Sequence, residues 1–141
     1  MKNKKLLFIL LGVLVICIIG VSLFCVIRGI MASNKWQEYC DVYRERAEEY
    51  IKSDAEILSK YGSNISVEFD DSVSYIESNR GFFDRYIEVF APKIPASVEE
   101  FAEGIELLSF DVEINNDDYE ITFEKNGEGE LVVSDLSEVK Q

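Results

Sequence analysis

The sequence of 141 residues contains no histidine. That absence removes the commonest general base, the Ser-His and Cys-His nucleophile pairs and the usual zinc ligand, and whole classes of enzyme go with it. Cysteine is scarce too. Cys17 and Cys25 fall in an apolar run and only Cys40 lies beyond it, which leaves no pair there for an intramolecular disulfide or a redox centre. No Gly-rich loop links a strand to a helix as a nucleotide site requires. The one Gly-rich piece, Gly127-Glu128-Gly129, reads as a hairpin turn and carries an acid that repels phosphate. Paired carboxylates are the remaining route to hydrolysis. With 27 acids in the chain some pair always looks suggestive, however, and a domain of this size has little room for a sugar groove. The chain is therefore expected not to be an enzyme, and no cofactor is called for.

Charge is missing from one long stretch. Leu6 to Ile27 contains no charged residue and a single polar interruption, Ser22, and as a helix it extends about 33 Å, enough for a hydrocarbon core of about 30 Å. A cleaved signal peptide has a shorter apolar region and small residues at its cleavage site; here the nearest small pair, Ala32-Ser33, has the bulky Ile30 where a small residue is wanted. The expected reading is a retained anchor. Lys2, Lys4 and Lys5 precede the run and Arg28 and Lys35 follow it, so the excess of bases favours a cytoplasmic N-terminus and an extracytoplasmic remainder in the cell membrane. The run has no acid or base to mark an ion path. Gly12 and Gly20 stand eight apart rather than four, so the Gly-three-Gly pairing motif is missing as well. Passive anchoring is expected.

The rest of the chain is strongly acidic. Residues 1–31 carry four bases and no acid, so all 27 acids fall beyond them against ten bases, a net charge of about −17. Such a surface disfavours nucleic acid and anionic headgroups and attracts a basic partner.

Periodicity gives the architecture. Trp36, Cys40, Tyr43, Ala47, Tyr50, Ile57 and Tyr61 recur at helical steps, with Asp54 interrupting the seam. Either this stripe lies on the domain's own sheet or it pairs two copies through the juxtamembrane helix as a homodimer. Arg44, Glu45, Arg46, Glu48 and Glu49 are assigned to a solvated face. Ser53-Asp54-Ala55-Glu56 has the form of a capping box, opening a short helix that Gly62 stops. Val67 and Phe69, then Val73 and Tyr75, alternate with polar residues and read as two strands turned at Asp70-Asp71. Phe82, Phe83, Tyr86, Ile87 and Phe90 return to the helical step. A second capping box, Ser97-Val98-Glu99-Glu100, opens a helix with Val98, Phe101, Ile105 and Leu108 as its stripe, weakened by Gly104. Three alternating strands follow, marked by Phe110, Val112 and Ile114, by Tyr119, Ile121 and Phe123, and by Leu131 and Val133.

The expected fold class is α+β: an N-terminal transmembrane helix followed by a small extracytoplasmic domain of amphipathic helices packed on an antiparallel sheet. Its parts are a basic tip (1–5), the span (6–28), a juxtamembrane segment (29–35), the acidic domain (36–138) and a tail (139–141). This arrangement resembles that of many single-pass proteins of bacteria. The leading functional expectation is a non-catalytic protein-interaction or assembly module at the membrane. Trp36, Tyr39, Tyr43 and Tyr50 are its candidate partner-binding residues, because exposed aromatic anchors dominate interfaces. The alternative is an extracytoplasmic ligand or cation sensor. Asp111, Glu113, Asn115 and Asp117 are candidate Ca²⁺ ligands if the strand keeps its alternation, although they lack EF-hand spacing.

Overall fold

The computed structural model describes residues 2–71, 73–78 and 94–140. The helix suggested by Phe82 to Phe90 lies outside the described residues. The elements are α1 (Lys2–Ser53), α2 (Ala55–Tyr61), β1 (Val67–Phe69), β2 (Tyr75–Ser78), α3 (Val98–Glu103), β3 (Ile105–Ile114), β4 (Asp117–Lys125) and β5 (Leu131–Glu138). The protein is thus α+β, a long N-terminal apolar helix joined to an antiparallel sheet. Among the described residues α1 is the one helix long and apolar enough to cross a membrane.

Nothing interrupts α1 for 52 residues; both prolines lie far downstream. Its first half exposes apolar side chains all round, from Leu6 to Met31. Its second half is amphipathic, with Tyr39, Cys40, Tyr43, Ala47 and Ile51 buried in the core. The inward step from Ala47 goes to Ile51 rather than to Tyr50, which is 40% exposed. Arg44 departs from the expected solvated face: its guanidinium lies 5.3 Å from the centroid of the Phe110 ring and donates to the Asp71 carbonyl at 2.9 Å.

The helix ends one residue later than the capping box suggested. Asp54, not Ser53, caps α2, its Oδ1 accepting from the backbone N–H groups of Glu56 and Ile57 at 2.9 and 3.0 Å. Ser53 instead donates to the Tyr50 carbonyl. Gly62 closes α2 with φ of 78°, a conformation that suits glycine. The second box forms in a shifted version: Ser97 Oγ accepts from the Glu100 N–H, while the Glu100 carboxylate accepts from the N–H of Ala96 rather than that of Ser97. The helix it opens has only six residues. Gly104 terminates it rather than weakening it, and Ile105 and Leu108 belong to β3.

β3 is the central strand. It pairs with β4, β4 pairs with β5, and on its other side β3 pairs antiparallel with both β1 and β2. Val67 faces Ile114 and Tyr75 faces Ser109, so β1 and β2 run in the same direction along one edge. The expected reversal at Asp70-Asp71 is therefore replaced by an excursion of a single interrupted strand toward α1. Gln37 and Arg44 of α1 both donate to the Asp71 carbonyl and hold that excursion.

The inner face of the sheet carries Leu108, Phe110, Val112 and Ile114 from β3 and Ile121 and Phe123 from β4, all buried. α1 and α3 cover it. Phe101 of α3 meets the rings of Trp36, Tyr39 and Tyr43, and Tyr43 also meets Phe123 edge-on at 5.4 Å. Each such large side chain contributes about 1.5–3 kcal/mol through burial, and edge-to-face rings add to that.

Candidate interaction surface

The candidate surface is set by strand parity and register. Along β3 the residues between the inward ones are Asp111 and Glu113, and both are exposed. On β4 the outward positions include Asp118 and Glu120, and on β1 Glu68 is outward. Pairing lines these up: Glu68 faces Glu113, Glu113 faces Asp118, and in the next row Asp111 faces Glu120. Five carboxylates thus occupy directly opposed positions on three adjacent strands, where Cβ atoms stand about 4.5–5.5 Å apart. Asp70 follows at the edge, its N–H donating to the Asp111 carbonyl at 3.2 Å. No lysine or arginine stands at an outward position of β1, β3, β4 or β5. An open depression of about 530 Å³ lies among Glu68, Asp70, Asp111, Glu113 and Asp118.

Like charges directly opposed across strands destabilise a sheet. This half-sheet retains them in two consecutive rows. It can attract a cationic surface electrostatically. The next row pairs Tyr75 with Ser109 and Ser109 with Thr122, whose hydroxyls share a hydrogen bond of 2.9 Å, and in the row after it Leu107 and Val132 alternate with Glu77 and Glu124.

The four candidate calcium ligands are not brought together. Asn115 and Asn116 form a two-residue hairpin turn, with φ of 50° and 70°, as turns with two left-handed central residues require. The turn pairs Asp117 with Ile114, so Asp117 lies on the inner-face side, opposite Asp111 and Glu113. Asn115 spends its side-chain oxygen on the Ser66 N–H at 2.8 Å. Among the described residues no group of three or more acids and cysteines is placed to hold a metal ion.

Asp117 belongs instead to a polar latch. Tyr61 of α2 donates to its carboxylate, and Lys60 lies 3.2 Å from it and 3.0 Å from Glu138 of β5. Lys60 also donates to the Tyr119 hydroxyl at 2.9 Å. The Tyr61 hydrogen bond, followed by Lys60, holds the Asp117 carboxyl below its usual range. The hydrogen-bonding oxygens of Tyr119, Tyr61 and Glu138 raise the Lys60 ammonium above its own. A lysine held so firmly protonated is a tether for α2 and a poor nucleophile.

The aromatic stripe is largely spent on the fold. Tyr39 and Tyr43 are 5% and 2% exposed; the Tyr39 hydroxyl donates to the Pro95 carbonyl at 2.9 Å, and burial pushes the Tyr43 hydroxyl pKa up. Trp36 is half-buried against Phe101, and Tyr50 is the member that remains open. Cys40 is buried in the same layer, its thiol pushed up to about 11 by burial.

Sequence reading singled out Asp111 and Glu113 only as candidate cation ligands and missed Glu68. Only the pairing of β1 with β3 brings that residue into the row, and no local pattern announces it. Comparison of the chain with protein-family models, curated proteins and solved structures found no match.

Proposed function

We propose that this protein is a single-pass membrane protein, anchored through residues 6–28 with its N-terminus in the cytoplasm, whose outer acidic domain is a non-catalytic interaction module. Its binding surface is the carboxylate half of the sheet, and its partner is a protein presenting a basic face. The observation that carries this reading is the opposed pairing of Glu68, Glu113 and Asp118 beside that of Asp111 and Glu120. The arrangement costs sheet stability and creates a directed negative field, which speeds and orients encounter with positive charge.

The burial of Tyr39 and Tyr43 moves the proposed surface away from the stripe. Replacing them would damage the core and report on folding rather than on partner choice. The appropriate variant is Glu68→Gln, Glu113→Gln, Asp118→Asn, which keeps shape and removes charge. Crosslinking in native membranes followed by purification of the full-length protein should recover a stoichiometric basic partner with the unaltered chain and lose it with the triple variant. Equal recovery from both would exclude the acidic face as the binding surface. Recovery of the chain alone from both would argue against an interaction module altogether.

A further inference from the structure

We infer that α1 is a rigid spacer that fixes the height of the acidic half-sheet above the bilayer. The inference rests on the reading of residues 6–28 as a span. α1 passes from the apolar run into the core without a proline, and Gly29 is the last glycine before it ends at Ser53. Sharp kinks arise at Pro, at Gly/Ser pairs or where the hydrogen-bond ladder is broken, and Gly29 is continuous with helix on both sides. Packing starts early. Ala32 is already buried at 4% exposure, and Trp36 meets Phe101 at 5.3 Å. From Ile27 to Ala32 the helix rises about 7–8 Å, roughly the depth of one headgroup layer. The joint between span and domain is short and continuous helix, about 13–14 Å from Ile27 to Trp36.

The order of contacts along α1 also orients the sheet. Trp36 and Tyr39 meet α3, Tyr43 meets Phe123, and Arg44 lies over Phe110. Further on, past the end of α1, α2 is tied to Asp117 and Tyr119. β3 therefore leads away from the bilayer, from Ile105 beside α3 to Ile114 beside the far turn. Arg44 stands about 25 Å beyond Ile27 along the helix, and Glu113 lies three residues past Phe110, about 10 Å of strand. The carboxylate rows consequently sit roughly 25 Å above the headgroups, about three Debye lengths at physiological salt. Lipid charge neither attracts nor repels them there. The partner they fit is one whose basic face is held at that same height, which excludes the lipid surface as the ligand.

The test is energy transfer from a dye on Glu113→Cys, in full-length protein carrying Cys17→Ala and Cys25→Ala, to acceptors on lipid headgroups in vesicles. Buried Cys40 stays unlabelled. A single narrow distance near 25 Å is expected. A seven-residue helical insert between Ser33 and Asn34 should lengthen it by about 10 Å, two turns of helix, whereas a Gly-Ser insert of the same length should broaden it. A broad distribution in the parent protein, or a distance unmoved by the helical insert, would overturn the spacer. Release of the protein from the vesicles by alkaline carbonate would overturn the span itself, and with it the inference.

Discussion

The two faces of one sheet have been given opposite tasks by alternate residues of the same strands. Phe110, Val112 and Ile114 are buried under α1 and α3, while Asp111 and Glu113, interleaved with them, are exposed and opposed to further acids. The backbone pairing is common to both faces, so the contrast isolates what the side chains do. The inner face supplies the free energy of folding through burial and ring contacts. The outer face spends a little of it to hold negative charge in register.

The contrast is broken most forcefully from the inside. Phe110→Ala should cost about 3–5 kcal/mol in denaturant unfolding of the full-length protein in detergent. Its neighbour Asp111→Ala should stay within about 0.5 kcal/mol. Equal losses would mean that the outer face is packed rather than solvated. A smaller effect of opposite sign sharpens the comparison: Glu113→Gln removes repulsion from both Glu68 and Asp118 and should stabilise the sheet by about 0.2–1 kcal/mol. The same change should weaken partner capture. Gain of stability with loss of binding is the signature of a surface kept for recognition, and loss of both would deny it.

The latch is expected to act locally. Lys60→Met should speed amide exchange in α2 while leaving the global unfolding midpoint almost unchanged, because exposed ion pairs contribute little. Its pH dependence follows from the two shifts. Asp117 has a lowered pKa in the folded chain, so its contribution is present above the ordinary Asp value of about 3.9 and is lost as pH falls through the lower folded value. Lys60 has a raised one, so its contribution is present below about 10.4 and is lost as pH rises beyond that through the folded value. Protection of α2 should therefore be flat between about pH 4 and 10. A midpoint near neutrality would show that some other group controls the latch. The smallest effect is expected at Cys40: a thiol reagent at pH 7 should leave it unmodified until the protein is denatured, and rapid labelling of the native chain would show that the α1 layer opens.

The meander was legible because its period of two is carried by strong alternation between short turn signals, and the stripe of α1 because aromatic residues recur at three and four. Boundaries suffered where one spacing fits two structures. Phe101, Ile105 and Leu108 fit a helical stripe as well as they fit the end of a helix followed by a strand, and only Gly104 hinted at the division. Tyr50 reads as inward from its step of three beyond Ala47, whereas the fold turns Ile51, a step of four, inward. The calcium reading assumed that alternation ran through Asp117, and the two-residue Asn115-Asn116 turn reversed its parity. The acidic surface was not read as one; the alternation of Asp111 and Glu113 was visible, but it reads as a possible cation site. The surface's completion by Glu68 depends on a strand pairing separated by more than forty residues, information that local periodicity does not hold.

The interrupted strand beside β3 bears on how copies behave together. An uninterrupted edge exposes a row of unpaired backbone groups that another chain can adopt as a template. Here the excursion between β1 and β2 is drawn toward α1 by Gln37 and Arg44, and the opposite edge is bent where Ser134 of β5 has no counterpart between Thr122 and Phe123. In the membrane arrangement proposed above, copies would be confined to one plane, and these two irregularities would oppose their pairing edge to edge.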